Sequence, residues 1–386
     1  MLDRTSNYLI VNLGASCIQF IFLFGMSFVL SNSIFGKVML LLAISTFVEI
    51  AVSPGFSKTI FDMRVSSKNH ENSLANSLYL HVLLSLCALI IGLLFFGPNL
   101  WLSALAIGSF TSIVSFSIDL HLKHQEWKVV YFYTFIMHAP KLIILVVLLV
   151  ANFIQSDLSM YIYDCFCVFY VFGILIMVIQ NRKSLQNFKI KDHYKNLSIA
   201  SINLLVIAVV NLQVKIDMLL VSMFYDADMV GLYGKALLMC SLFPIVSRTI
   251  SNIRLAVDDY GTVIGDTLRR YRSPRFLLVI LAFFTTYVLI VWIISVYLYK
   301  ENIIFYYFAI LSIGYIGSIF FNSIESNFYK SGTHHIVFTK LIVIIVTLVG
   351  FLILHQSTDI YFPLLFVVGK IAGWIYILNR FNFVSK

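Results

Sequence analysis

Lys141 sits near the middle of an apolar run from Val129 to Asn152, roughly 16 Å from either end of a helix that rises about 1.5 Å per residue. That is farther than a lysine side chain readily snorkels. An ionised residue at the centre of a membrane span costs about 2.5 to 3.5 kcal/mol, so it must face a wet cavity or a partner. His138 lies one turn earlier on the same face, and Pro140 between them frees a backbone carbonyl and bends the helix. A bent, cationic segment at mid-depth suits a substrate site that moves.

Lys370 is equally central, in Val368-Gly369-Lys370-Ile371-Ala372-Gly373, where small residues permit close helix approach. The plainer reading of both lysines is a buried ion pair that only fixes packing. Lys215 and Asp217 belong to the outer part of another span. At 100° per residue they point to different faces, so they are not expected to pair with each other, and either can snorkel to the outer surface. Glu49 and Glu325 have the chemistry to take up a coupling proton or cation, or to neutralise one of the lysines. Asp119, Arg248 and Lys340 lie near enough to the inner surface to read as interfacial anchors.

Other chemistries find no footing. There is no Walker A pattern, no Gly-x-Gly-x-x-Gly before a helix and no His-Glu-x-x-His, so no catalytic residue, metal or cofactor is expected. Cys17, Cys87, Cys165, Cys167 and Cys240 all fall inside apolar runs, without redox or zinc spacing, and read as small core residues. The net charge of +9 is scattered through short loops and forms no basic face, which argues against nucleic acid. Most of the 35 Phe and 21 Tyr residues are expected to face lipid or form interfacial belts, with a few left to stack on sugars.

The elements that hold these residues are membrane helices. The 386 residues are 60% hydrophobic and 12% charged, whereas a soluble domain is about a quarter charged. Apolar stretches of about 20 residues match the hydrocarbon thickness and recur with brief interruptions. In the first half the spans are Tyr8 to Leu30, Lys37 to Gly55, Ser77 to Phe96, Leu100 to His121, Val129 to Asn152 and Leu158 to Ile179. The second half has Leu197 to Val221, Val230 to Ile250, Arg275 to Tyr297, Ile303 to Ser323, Ile336 to Leu354 and Ile360 to Leu378. The first run is too long for a signal peptide and is expected to stay as a membrane helix.

The expected fold is thus an all-α integral membrane protein of about 12 helices. Residues 1–180 form one six-helix lobe, 181–196 a basic cytoplasmic linker and 197–386 a second six-helix lobe. Placing both termini in the cytoplasm puts most of the 27 Lys and Arg residues inside. A short repeat, Phe35-Gly36-Lys37-Val38-Met39-Leu40 against Tyr233-Gly234-Lys235-Ala236-Leu237-Leu238, recurs after the first helix of each half. Six intervening helices give both copies one orientation, as a pseudo-twofold axis along the membrane normal requires. Outward loops such as Ser31 to Gly36 and Ser222 to Met229 are too short to hold a catalytic domain.

Three features make the chain similar to the O-antigen flippases, the Wzx-type polysaccharide transporters of the multidrug/oligosaccharidyl-lipid/polysaccharide exporter superfamily. They are Ile34-Phe35-Gly36-Lys37-Val38 followed by Glu49 to Phe56, Asp217-Met218-Leu219-Leu220 followed by Val230-Gly231-Leu232-Tyr233, and the six-plus-six arrangement about a basic loop. The resemblance implies a bacterial inner-membrane protein, not an enzyme, that moves an undecaprenyl-pyrophosphate-linked oligosaccharide from the cytoplasmic to the periplasmic leaflet by alternating access. It also implies that Lys141, Lys215 and Lys370, with His138, hold pyrophosphate or acidic sugars, and that Asp217, Glu49 or Glu325 responds to an ion gradient. Membrane lipids and other polysaccharide assembly proteins are the further partners it implies. A drug exporter of the same superfamily and a membrane polymerase of the pathway are the alternatives. The deep lysines disfavour the exporter, and the small outer loops disfavour the polymerase.

Overall fold

The computed structural model describes residues 2–52, 82–87, 89–90, 99–123, 126–153, 161–180, 190–243, 274–331, 333–354 and 362–384. These residues are almost entirely helical. Seven helices among them are long and apolar enough to cross a membrane, and three more apolar stretches, Leu13–Val29, Phe284–Leu298 and Asn302–Ser318, are shorter. The chain is therefore consistent with an all-α membrane protein. The span expected at Ser77 to Phe96 lies mostly outside the described residues, as do residues 244–250 of that expected at Val230 to Ile250.

Packing divides the chain into two compact units, Gly14–Ser222 and a second made of Met1–Leu13 with Met223–Lys386. The first unit is built from α1 (Leu2–Val29) from Gly14 onward, α2 (Asn32–Val52), α3 (Leu100–Lys123), α4 (Trp127–Phe153), α5 (Ile162–Gln180) and α6 (Ile190–Phe224) as far as Ser222, with Glu49 on α2, His138 and Lys141 on α4, and Lys215 and Asp217 on α6. Helix α3 packs against α2, α4 and α5. Its sequence explains that central place, because Ser103, Ala104, Ala106, Ser109 and Ser112 are all buried and let neighbours come close. A Cβ on Gly108 would stand 2.6 Å from the Ser45 backbone oxygen of α2, and one on Gly173 of α5 would stand 2.6 Å from the Phe110 ring. Ser103 Oγ donates to the Tyr163 carbonyl at 2.8 Å, tying α3 to α5.

The second unit contains α7 (Ala227–Cys240), α8 (Pro274–Ile293) continued by a π-helical turn at Ile294–Leu298, α9 (Asn302–Ser331), α10 (Thr333–Leu354) and α11 (Phe362–Val384). Its core is aromatic. Phe362 of α11 lies 5.0 Å, centroid to centroid, from both Tyr233 of α7 and Tyr307 of α9, and 6.1 Å from Phe351 of α10. The aromatic residues are thus divided between roles. Phe135 and Phe172 are exposed as bulk facing outward, whereas Phe22, Phe110, Phe166, Phe308 and Tyr170 are fully enclosed.

Two loops are shorter than their composition suggests, because polar residues cap helices instead of extending the turn. Ser31 Oγ accepts from the Ile34 N–H at 3.4 Å, so α2 starts at Asn32 and takes in the Phe35-Gly36-Lys37 motif. Asp226 Oδ1 accepts from the Met229 N–H at 2.9 Å, starting α7 at Ala227. The second copy of the motif therefore lies one turn farther from its cap than the first. Phe35 and Tyr233 are both fully buried, but Lys37 is exposed while Lys235 is buried, with its ammonium 4.6 Å from the Tyr299 ring centroid. Helix α6 also begins at Ile190, inside the stretch read as a linker, since a polar helical turn carries no apolar signal to mark it.

Candidate functional site

Lys141 lies well inside α4, 27 residues long, directly after Pro140 within the same helix. Its ammonium donates to Gln19 Oε1 of α1, a contact across 122 residues of sequence. His138 Nδ1, one turn back on α4, stands 3.5 Å from the same nitrogen. An ammonium only donates, so the imidazole nitrogen facing it is the unprotonated one. Glu49 of α2 and Lys215 of α6 both act electrostatically on Lys141. Glu49 is tied in turn to α3, where Ser115 Oγ donates to Oε1 at 3.4 Å. Five helices of one unit thus contribute polar groups to a single cluster. Four of the residues read from sequence, Lys141, His138, Glu49 and Lys215, belong to it, and Gln19 and Ser115 are additions.

Asp217 stands two residues beyond Lys215 on α6 and is 1% exposed. Its Oδ1 accepts from the neighbouring Met218 N–H at 2.8 Å, a local bond that uses part of its acceptor capacity. Lys215 is only half-buried, in keeping with the two pointing to different faces. Glu325 falls within α9, but its side chain lies outside the described residues.

Lys370 belongs to the second unit and has different surroundings. It is 6% exposed, and its ammonium stands 3.8 Å from the Tyr315 ring centroid and 4.6 Å from that of Phe366. Ser318 Oγ is the hydrogen-bond acceptor at 3.2 Å. Helix α11 separates its contacts by face. Gly369 and Gly373 meet α10, where an added Cβ would lie 2.9 Å from the Val343 carbonyl oxygen and 3.2 Å from that of Thr339. Lys370 and Trp374, each one residue on, fill the space left by Gly314 and Gly317 of α9. The small residues around Lys370 thus bring α10 close, as the sequence implies, while the charge sits against aromatic faces on the other side.

Gln19 left a readable trace in the sequence as a lone amide between Ile18 and Phe20, in an apolar stretch where an unpaired polar group is costly. Phe366 was readable as well, four residues before Lys370 on the same helix face. Tyr315, Ser318 and Ser115 come from distant segments and had no such signal. Among the described residues, no group of three or more His, Cys, Asp or Glu side chains is placed to hold a metal ion. Compared with known proteins, the chain matches no family model, no curated protein and no solved structure.

Proposed function

We propose that this protein is a transporter that moves an anionic, lipid-linked oligosaccharide across a bacterial inner membrane. The observation that carries the reading is the Lys141 cluster, which gathers an ammonium, an amide, an imidazole, a second lysine and a carboxylate inside apolar helices. A pyrophosphate cannot cross hydrocarbon without groups that replace its hydration, and Lys141 and Lys215 offer charge-assisted donors for that purpose. The lipid tail stays in the bilayer meanwhile. Glu49 is the carboxylate best situated to respond to a proton or cation, since it shares the electrostatic environment of Lys141. Asp217 and Glu325 are further coupling candidates.

The wider proposal has twelve helices in two six-helix lobes, 1–180 and 197–386, joined by the basic stretch 181–196, with both termini cytoplasmic. Alternating access would follow from rocking of the lobes. The partners would be undecaprenyl-pyrophosphate-linked oligosaccharide, membrane lipids and other assembly proteins of the polysaccharide. No catalytic step is assigned.

The test is to delete the gene and follow the lipid-linked sugar unit. Accumulation of complete units on the inner leaflet, with loss of surface polymer, is expected. Single units reaching the surface without being joined would favour a polymerase, and an unchanged glycan would turn attention to drug export. In the complemented strain, Lys141→Ala together with Lys370→Ala should abolish surface glycan at normal protein level. Unchanged glycan in that variant would remove the cationic site from the mechanism.

A further inference from the structure

We infer that Gln19 is a positioning residue for the cargo-binding ammonium of Lys141, an inference that rests on the transport reading above. The ammonium has three N–H donors and no acceptor. One is directed at Gln19 Oε1 and another faces His138 Nδ1 at 3.5 Å, which fixes the nitrogen between α1 and its own helix α4. The remaining donor is the one an anionic oxygen of the cargo takes.

The chemistry of Gln19 suits this task. Its amide oxygen orients the ammonium without cancelling its charge, whereas a carboxylate in the same place would form an ion pair and compete with the cargo. A role in packing alone does not require an amide here. Gln19 is half-buried between the apolar Ile18 and Phe20, where a methionine of similar length fills the same volume without desolvating a polar group. His138 is buried and supplies a second neutral acceptor. The ammonium is therefore oriented by two uncharged groups, while Glu49 and Lys215 set the surrounding field.

The test uses full-length protein in lipid nanodiscs and measures binding of farnesyl pyrophosphate, with farnesol as the uncharged control. Loss of a hydrogen bond to a charged group should make Gln19→Met bind the pyrophosphate about tenfold more weakly. Lys141→Met should lose at least as much, and Gln19→Met combined with Lys141→Met should be no weaker than Lys141→Met alone, because Gln19 acts through that ammonium. Gln19→Glu keeps length and shape, so it reports charge even if the methionine variant is unstable, and it should bind more weakly than Gln19→Met. Wild-type affinity in Gln19→Glu, or additive losses in the double variant, would overturn the positioning role while loss in Lys141→Met kept the cargo reading. A wild-type protein that binds the pyrophosphate no better than farnesol would overturn both.

Discussion

The two deep lysines show how differently one side chain is accommodated. Lys141 is held by an amide and an imidazole, groups that orient a cation and leave its charge available. Lys370 is held by the faces of Tyr315 and Phe366, and a favourable contact of this kind stabilises a desolvated cation by about 2 kcal/mol or more. Replacing Tyr315 by Leu should therefore destabilise the protein by about 2 kcal/mol in a thermal or denaturant unfolding series in detergent. The loss should largely vanish when Lys370→Met is also present, because no buried ammonium then needs the ring. Equal losses with and without Lys370 would show that Tyr315 contributes only packing. Both lysines were legible from depth alone, since a charge so far from either end of an apolar run must be satisfied somewhere. The manner of satisfaction was legible only where a partner lies within one turn, as with His138 and Phe366. Tyr315, Ser318 and Ser115 are brought in by tertiary packing, which no local spacing encodes.

Helices here meet through small residues, and their cost of substitution is set by what lies opposite. Gly108 faces the backbone of α2, so even a methyl group must push the main chain aside. Gly108→Ala should destabilise by about 1 to 3 kcal/mol, the range for overpacking. Gly25 offers a contrast. The nearest atom to a Cβ there is Cδ1 of Leu145, at 2.7 Å, the end of a flexible side chain that can turn away. Gly25→Ala should thus cost less than Gly108→Ala in the same unfolding assay, and the reverse order would contradict the packing described. At the helix ends, Asp226→Ala should cost about 1 kcal/mol through loss of the cap on α7. Helix existence was easy to read from runs of apolar residues, and α3, α4 and α10 end within a few residues of their expected limits. Starts were harder at Ser31 and Asp226, where polar residues that look like loop are caps, and at Ile190, where a polar helix has no apolar stripe.

Across the whole chain, the proposed orientation in the membrane rests on where positive charge falls relative to the spans. A series of single cysteines in a background lacking the native five, placed at residues 4, 183 and 386, should be protected from an impermeant thiol reagent in intact cells. Cysteines at 226 and 300 should react. The opposite pattern would invert the proposed orientation. Membrane residence itself was plain in composition, because a chain 60% hydrophobic has too few charged residues to clothe a soluble surface. The two copies of the short repeat can be compared residue by residue. The aromatic and glycine positions are buried in both copies, yet the lysine is exposed in one and enclosed in the other, so equivalent sequence has met unequal surroundings.

The division of contacts around α11 has a mechanical consequence. Toward α10 it presents glycines against the short β-branched side chains of Thr347 and Val343 and the Val343 and Thr339 carbonyls behind them, a close seam with little room to shift. Toward α9 it presents Lys370 and Trp374, side chains with rotatable bonds lying in the hollows left by Gly314 and Gly317. The first seam resists sliding and the second can lengthen while its cation stays over an aromatic ring. Helices α10 and α11 should therefore travel as a pair, with any yielding in this unit taken up along the line between α9 and α11.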